Sequence, residues 1–500
     1  MRRFAIVAVV AAACWDSWRW YVLRVSSTPE EAVALIVAVG LVMLLPGGAA
    51  SGAIGSSNGG RWSTAGLVAG DARWNMHALT VLLMLYALSA LHAPPIMRAG
   101  IAVLALLAAL HGALRCAAPP PALWLIGLLA MPIVPTLQFY LGYPMRVVSA
   151  AVAVVLLRLN GLSVDRQGTY LVWRGDLVQF DAPCSGVSML WAGLLLTSML
   201  AYIYQLGVWR LIMSLAACAV LLVIANIMRA TSLFYLETGV VAWAPGWAHE
   251  ASGLAVFAVA AFGIVWLSRK LAPDLCVIGG VVIATTTGHC VSVPRQSNVN
   301  GRAGICGGTV LRVPTPLSSA ERALSVDPRW WAGVLAASLV VAAFSPSLAR
   351  TTTTSSEAAA PFPGWPSQYD GRTISALPMT VRETAFAADF PGRIGRFSDG
   401  EREIIVRYVA AATRKLHPAA DCFRGLGYTI TPVAMRRNST GRAMSCFQAN
   451  GKGGQFRVCE HLDEVSGDGS SWPDIGAWYW HALFRKDGRG WWSYTVAERI

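Results

Sequence analysis

Along the first 270 residues, long apolar runs alternate with short polar breaks. A bilayer core takes about 20 helical residues to cross. Stretches approaching that length lie at 4–22, 31–46, 76–92, 99–115, 121–140, 185–205, 208–228 and 249–268, and one more at 330–348. The run at 146–160 is shorter and carries Arg146 and Arg158 at its ends. The pattern predicts an all-α polytopic membrane protein of about nine transmembrane helices. After residue 366 the long runs give way to shorter, mixed ones. EREIIVRYVAAATRKL (401–416) has apolar residues at helical spacing, whereas QFRVCEHL, AWYWHALF and WWSYTV read as strands divided by Gly, Asp and Pro turns. A small C-terminal α+β domain over 367–500 follows, facing away from the cytoplasm by the charge count below. Before it come a membrane region at 1–270, a loop at 271–329, a helix at 330–348 and a linker at 349–366 that includes TTTTSSEAAAPFPGWP.

Composition supports a membrane protein. The 500 residues are 55% hydrophobic and 13% charged, against about 25% charged in a soluble domain. The net charge of +13 does not imply a nucleic-acid partner, because most basic residues sit in short loops, where they set orientation. The loop 269–329 holds seven Lys/Arg against Asp274, Glu321 and Asp327, so it is expected in the cytoplasm, as is Met1-Arg2-Arg3. The start MRRFAIVAVVAAACW has the look of a signal peptide, but further spans follow and it is read as the first anchor. Counting spans from both cytoplasmic ends agrees only if 146–160 stays at the interface or re-enters. The loops 161–183 and 229–248 and the tail then lie outside. Within 161–183, TYLVW and LVQF flank Arg-Gly-Asp as a hairpin turning at Gly175-Asp176. The stretch GGAASGAIGSSNGG lacks GK[ST] and reads as a flexible cytoplasmic loop rather than a phosphate cradle.

Ten cysteines show no CxxC pair, so neither zinc nor another metal is implied. Cys14, Cys116 and Cys218 lie in or beside apolar segments and are read as packing residues. Cys422, Cys446 and Cys459 leave room for one disulfide if the tail faces an oxidising compartment. Cys184 differs from these. It lies in DAPCSGVSML (181–190), where Asp181 can cap a helix and Pro183 can occupy its first turn. The positive end of that helix dipole favours the thiolate, which is the nucleophile. The next span ends outward in ANIMRA with Arg229, and the following one begins outward in AHEASG with His249. A thiol, a guanidinium and an imidazole thus share one side of the membrane. His249 can move a proton to a leaving amine, and Arg229 can hold an oxyanion in its fixed fork of donors. Asn226, one turn away on the same face, can orient Arg229.

The order Cys184-Ser185-Gly186 at a helix start, Asn226 with Arg229 at the next helix end, and His249 with Gly253 opening a third resembles the exosortase/archaeosortase family over roughly 70–270. The preceding hairpin loop is also similar. The resemblance implies a multi-spanning cysteine enzyme of the bacterial inner membrane that needs no cofactor. Its catalytic residues would be Cys184, Arg229 and His249, supported by Asn226 and facing the periplasm. Its clients would be exported proteins with a C-terminal Pro-Glu-Pro signal, an apolar span and a basic cluster; the acceptor that takes the cleaved chain is open. Archaeal relatives carry arginine in place of the histidine, so His249 points to the bacterial branch. HPAADCFRGLGY (417–428) and YWHALFRKDGRGWWSY (479–494) are similar to the exosortase-associated periplasmic domain, with Phe423 where tyrosine is usual. That similarity draws attention to His417 and Cys422. Rival readings are a membrane component of exopolysaccharide synthesis or export without thiol chemistry, and a scaffold recruiting partners through the tail. An intramembrane serine protease lacks a GxSG match.

Overall fold

The computed structural model describes residues 2–27, 31–47, 65–115, 119–174, 176–179, 185–240, 247–272, 274–278, 281–285, 333, 336, 339–340, 361–388, 390–465, 469–484 and 490–500. Ten helices and five strands come first: α1 (Arg2–Ala13), α2 (Trp15–Ser27), α3 (Ala32–Gly47), α4 (Ala65–His92), α5 (Pro95–Arg115), α6 (Pro121–Leu129), α7 (Val134–Leu159), β1 (Asp165–Gln167), β2 (Tyr170–Trp173), β3 (Asp176–Gln179), α8 (Val187–Ile203), α9 (Val208–Glu237), α10 (Ala248–Leu271), β4 (Asp274–Ile278) and β5 (Val281–Thr285). The tail follows as β6 (Gln368–Tyr369), β7 (Arg372–Thr373), β8 (Ser375–Leu377), α11 (Val381–Ala388), β9 (Gly392–Ser398), β10 (Glu403–Val409), α12 (Ala419–Gly425), β11 (Thr429–Arg437), β12 (Ala443–Gly451), β13 (Gly454–Glu464), β14 (Ser471–Trp472), α13 (Ile475–Phe484) and β15 (Trp491–Arg499).

Two compact units result. The first comprises Met1–Ile133, Leu194–Cys218 and Ile264–Thr352, and the second Val134–Gly193, Ala219–Gly263 and Thr353–Ile500. In the first, Val10 of α1, Cys14 between α1 and α2, Leu79, Leu83 and Tyr86 of α4, and Ala102, Ala105 and Ala108 of α5 form one core. The alanines let the helix backbones approach closely, the usual route to helix packing in lipid.

Four helices among the described residues are long and apolar enough to cross a membrane: Pro95–Leu114, Val134–Leu159, Val208–Leu236 and Ala251–Leu271. The α1–α2 pair, bent by 71°, makes a fifth if counted as one span. Val33–Val42, His77–Ala90 and Val187–Ile203 are apolar but shorter. The described helices therefore account for four or five crossings rather than about nine. The expected crossing at 330–348 lies outside the described residues except for 333, 336, 339 and 340. The expected division between 121–140 and 146–160 is corrected. Pro132 lies in a break at 130–133 and Pro135 in the first turn after it, leaving α6 nine residues long, and α7 then runs unbroken for 26 residues past Pro144. The span expected at 208–228 continues as α9 to Glu237.

The second unit contains the tail and α7. The expected hairpin gains a strand, forming an antiparallel sheet in the order β1-β2-β3. Trp173 pairs with Asp176, so Asp176, expected in the turn, opens β3, and Arg174 lies between the strands. Arg174 there has φ +53°. The main sheet of the tail is antiparallel in the order β11-β12-β13-β15-β10-β9-β8, with β14 beside β13, and β6 pairs with β7 in a separate hairpin.

Two tail assignments are corrected. EIIVRYV is strand β10 rather than helix, because it is buried on both faces. Ile404, Val406 and Tyr408 point to one core, and Val409 to another. A run apolar on both sides hides the period of two. Conversely AWYWHALF belongs to helix α13 rather than a strand. Ile475, Trp478, Tyr479 and Ala482 are its buried stripe, and Asp474 Oδ1 caps it by accepting from Ala477 N at 3.0 Å. Residues 361–366, expected in the linker, pack on the sheet. Phe362 meets Tyr408 and Trp492, Trp365 meets Phe397, and Tyr408 Oη donates to Pro361 O at 2.8 Å.

Helix α13 in turn packs on α7. Trp480 Nε1 donates to Tyr140 O at 3.1 Å, Phe139 stacks edge-on against Tyr479, and Arg146 forms a buried ion pair with Asp474 at 2.7 Å. Cys446 and Cys459, directly opposed in β12 and β13, form a disulfide and leave Cys422 as a free thiol. Cys14 and Cys218 are buried free thiols, and Cys116 lies outside the described residues.

Candidate active site

The site is built on one face of α9, where Asn226 and Arg229 are three residues apart. Asn226 is 1% exposed. Its Nδ2 donates to Ser149 Oγ of α7 at 2.8 Å and to Ser185 O at 3.3 Å. A backbone carbonyl can only accept, so the amide nitrogen must face it. Ser185 Oγ donates to Gln138 Oε1 of α7 at 2.8 Å. The segment before α8 is thus tied to α7 and α9 by side-chain hydrogen bonds.

Gly186 makes that closeness feasible. Its φ is +76°, and a Cβ there would fall 2.5 Å from Asn226 Cγ and Oδ1. Only glycine tolerates both the backbone and the approach. The same φ stops the helix from starting earlier. Helix α8 begins at Val187, with Gly186 O accepting its first bond from Leu190 N at 2.8 Å. Ser185 Oγ accepts from Val187 N at 3.4 Å at the start of that helix. Cys184 itself, with Asp181 and Pro183, lies outside the described residues.

Gly253 does for Arg229 what Gly186 does for Asn226. A Cβ on Gly253 would come within 2.9 Å of Arg229 Nε, so the start of α10 lies directly against the guanidinium. His249 is in α10 one turn before Gly253; its side chain lies outside the described residues. The structure thus brings together Ser185-Gly186, Asn226, Arg229 and Gly253 from three chain segments. Asn226 Oδ1 is buried without a hydrogen-bond partner among the described residues. Its amide donors are directed at Ser149 Oγ and Ser185 O.

Sequence reasoning missed Gln138 and Ser149. Both belong to α7, whose extent was misjudged, and neither stands in a recognisable motif. Of the tail residues singled out, His417 Nε2 lies 3.0 Å from Cys422 Sγ. Among the described residues, no group of three or more His, Cys, Asp or Glu side chains could hold a metal ion.

A guanidinium against a helix start is a fixed fork of donors, and one turn from it Asn226 binds Ser185. Compared with known proteins, the chain matches the Exosortase_EpsH family, described as transmembrane exosortase, over residues 2–266. No curated protein and no solved structure matches it. The family match covers more than half of the 500 residues and includes every residue of the α9 cluster, so the chain belongs to the transmembrane exosortase family.

Proposed function

We propose that this exosortase is a membrane-embedded cysteine transpeptidase acting on exported proteins with a C-terminal Pro-Glu-Pro sorting signal. Cys184 is the nucleophile. Its sulfur attacks the scissile carbonyl while His249 takes the thiol proton, and Arg229 stabilises the tetrahedral oxyanion. His249 then protonates the leaving amine, giving a thioester on Cys184. An acceptor nucleophile, deprotonated by His249, attacks that thioester and frees the thiol. Asn226 positions the chain around Cys184 through Ser185 O. The enzyme lies in the bacterial inner membrane with this site and the tail facing the periplasm, where the charge count puts them.

What supports the reading is the meeting of Gly253 with Arg229 on the helix face that binds Ser185 through Asn226. Ser185-Gly186, Asn226 with Arg229, and Gly253, one described portion of each part of the pattern, meet there.

Replacement of Cys184 by alanine tests it, with client size followed by pulse-chase and membrane levels matched. The client stays full-length in the variant. Arg229→Lys, which keeps the charge but loses the fork, slows processing by roughly a hundredfold. Normal processing by Cys184→Ala would overturn thiol catalysis and favour an exopolysaccharide component without it.

A further inference from the structure

The tail carries a second thiol with its own base, on a sheet face of unusual composition. Helices α12 and α13 cover one face. Under α12 lie Phe447, Ala449 and Val458, and under α13 lie Val409, Leu462 and Trp491. Between these apolar patches runs a polar strip. Arg407 is 7% exposed, Glu460 8%, and Ser493 and Thr495 3% each. Strand register puts Glu460 opposite Thr495 and Arg407 opposite Ser493. Arg407 Nη1 donates to Thr495 Oγ1 at 3.0 Å, and Glu460 Oε2 accepts from Ala419 N of α12 at 2.9 Å.

His417 and Cys422 are held at this strip. Lys415 O lies 3.1 Å from His417 Nδ1. A carbonyl accepts only, so Nδ1 carries the hydrogen and the neutral ring presents a bare Nε2. That nitrogen is 3.0 Å from Cys422 Sγ, placed to accept from the thiol. Phe386 of α11 packs edge-on against the imidazole. Nucleophile, base and a third group orienting the base are all present.

The surroundings narrow the chemistry. Cys446 and Cys459 alternate in register with Phe447 and Val458, so their disulfide lies on the opposite face of the sheet and Cys422 has no exchange partner there. Among the described residues no third metal ligand joins the pair. Burial raises the Cys422 thiol, against the lowering effect of Arg407. Burial lowers His417, and Arg407 lowers it further. The pair is therefore neutral, and its proton moves as the sulfur forms a bond. Such a pair suits an activated carbonyl better than disulfide exchange, which needs a standing thiolate.

We propose that Cys422 is an acyl-accepting thiol whose donor is a thioester. Its sulfur attacks the thioester carbonyl while His417 Nε2 takes the thiol proton. The bond to the original sulfur breaks, and that departing thiolate takes the proton from His417. The products are an acyl-Cys422 thioester and a free thiol. The step involves no oxidant or metal and does not depend on Cys184.

The test uses the full chain in detergent, carrying Cys184→Ala, with the benzyl thioester of N-acetylglycine as probe and peptide mass mapping as readout. Cys422 is acylated while buried Cys14 and Cys218 are not, so those two report an intact fold. The charged or titratable groups facing the pair are Arg407 from β10, Glu460 from β13, Asp421 from α12 and, through Arg407, Glu383 from α11. With burial and Arg407 holding His417 below its ordinary range, the acylation rate stays nearly level from pH 7 to 8. In His417→Gln it drops at least tenfold at pH 7 and falls about tenfold per pH unit below that. A level profile in the parent supports the proposal independently of the variant's fold. An unacylated Cys422, or a parent rate falling tenfold per pH unit as for an unassisted thiol, would overturn it.

Discussion

The α9 cluster and the tail pair each include an arginine, Arg229 in one and Arg407 in the other, yet they are assembled in opposite ways. Around Arg229 the parts come from separated segments: Ser149 of α7, Ser185-Gly186, Asn226 with Arg229, and Gly253 of α10. They meet only because two glycines leave room. In the tail, imidazole and thiol are five residues apart, and a single turn brings them together. What is distant there is the electrostatic setting, Arg407 and Glu460 on other strands. The helix-borne site depends on tertiary packing for its geometry. The tail pair depends on it for its environment.

The sharpest way to break this contrast is Gly186→Ala. A Cβ 2.5 Å from Asn226 must displace it, and φ +76° is strained for alanine. Left-handed strain and overpacking each cost around 1–2 kcal/mol, so client processing should fall about a hundredfold. Thioester acylation of Cys422 should be unchanged. If pulse-chase shows parent-like processing, the close approach at Gly186 does not govern the site.

A smaller effect tests whether the two regions are independent. Asp474→Ala leaves Arg146 buried without its ion-pair partner and removes the α13 cap. Losing one partner of a buried pair costs around 3 kcal/mol. The tail should become sensitive to limited proteolysis in the full chain. Processing should drop only a few-fold, through Ser149 on the next turn of α7. Loss of processing as large as in Gly186→Ala would mean that the tail dictates the α9 geometry.

The smallest effect concerns Glu460, which burial pushes up to about 7 from 4.5. Its folded form holds the proton more tightly than the unfolded chain does. Its contribution to stability is therefore full below about pH 4.5 and is lost as pH rises toward 7. Glu460→Gln removes that loss. Thermal unfolding followed by tryptophan fluorescence should show the variant gaining on the parent by on the order of 1–2 kcal/mol at pH 8. At pH 4.5 the two should nearly coincide. Equal pH dependence in both would show that Glu460 is not the group that titrates.

Legibility in the sequence followed the strength of local patterns. Helices α5, α9 and α10 were readable because long apolar runs admit few alternatives. EIIVRYV was misread because burial on both faces erases alternation, and AWYWHALF because aromatic residues suggest strands. Pro473-Asp474, just before α13, was the helix-start signal that went unused. The exchange of 121–140 and 146–160 for α6 and α7 came from treating the interruption as lying after 140. The prolines placed it at 130–133.

By itself the sequence determined that the chain has a region of apolar helices followed by a tail of shorter, mixed elements, because hydropathy and length act locally. It also determined the motif order Cys184-Ser185-Gly186, Asn226, Arg229, His249 and Gly253. Tertiary structure alone decided what those residues touch. Asn226 binds Ser149 and Ser185, Gly253 lies under Arg229, Cys446 takes Cys459 as its partner, and His417 with Cys422 stands over a buried Arg407. A side chain's type is written locally. Its desolvation, charged neighbours and room to approach depend on segments far away in the chain, and those decide its chemistry.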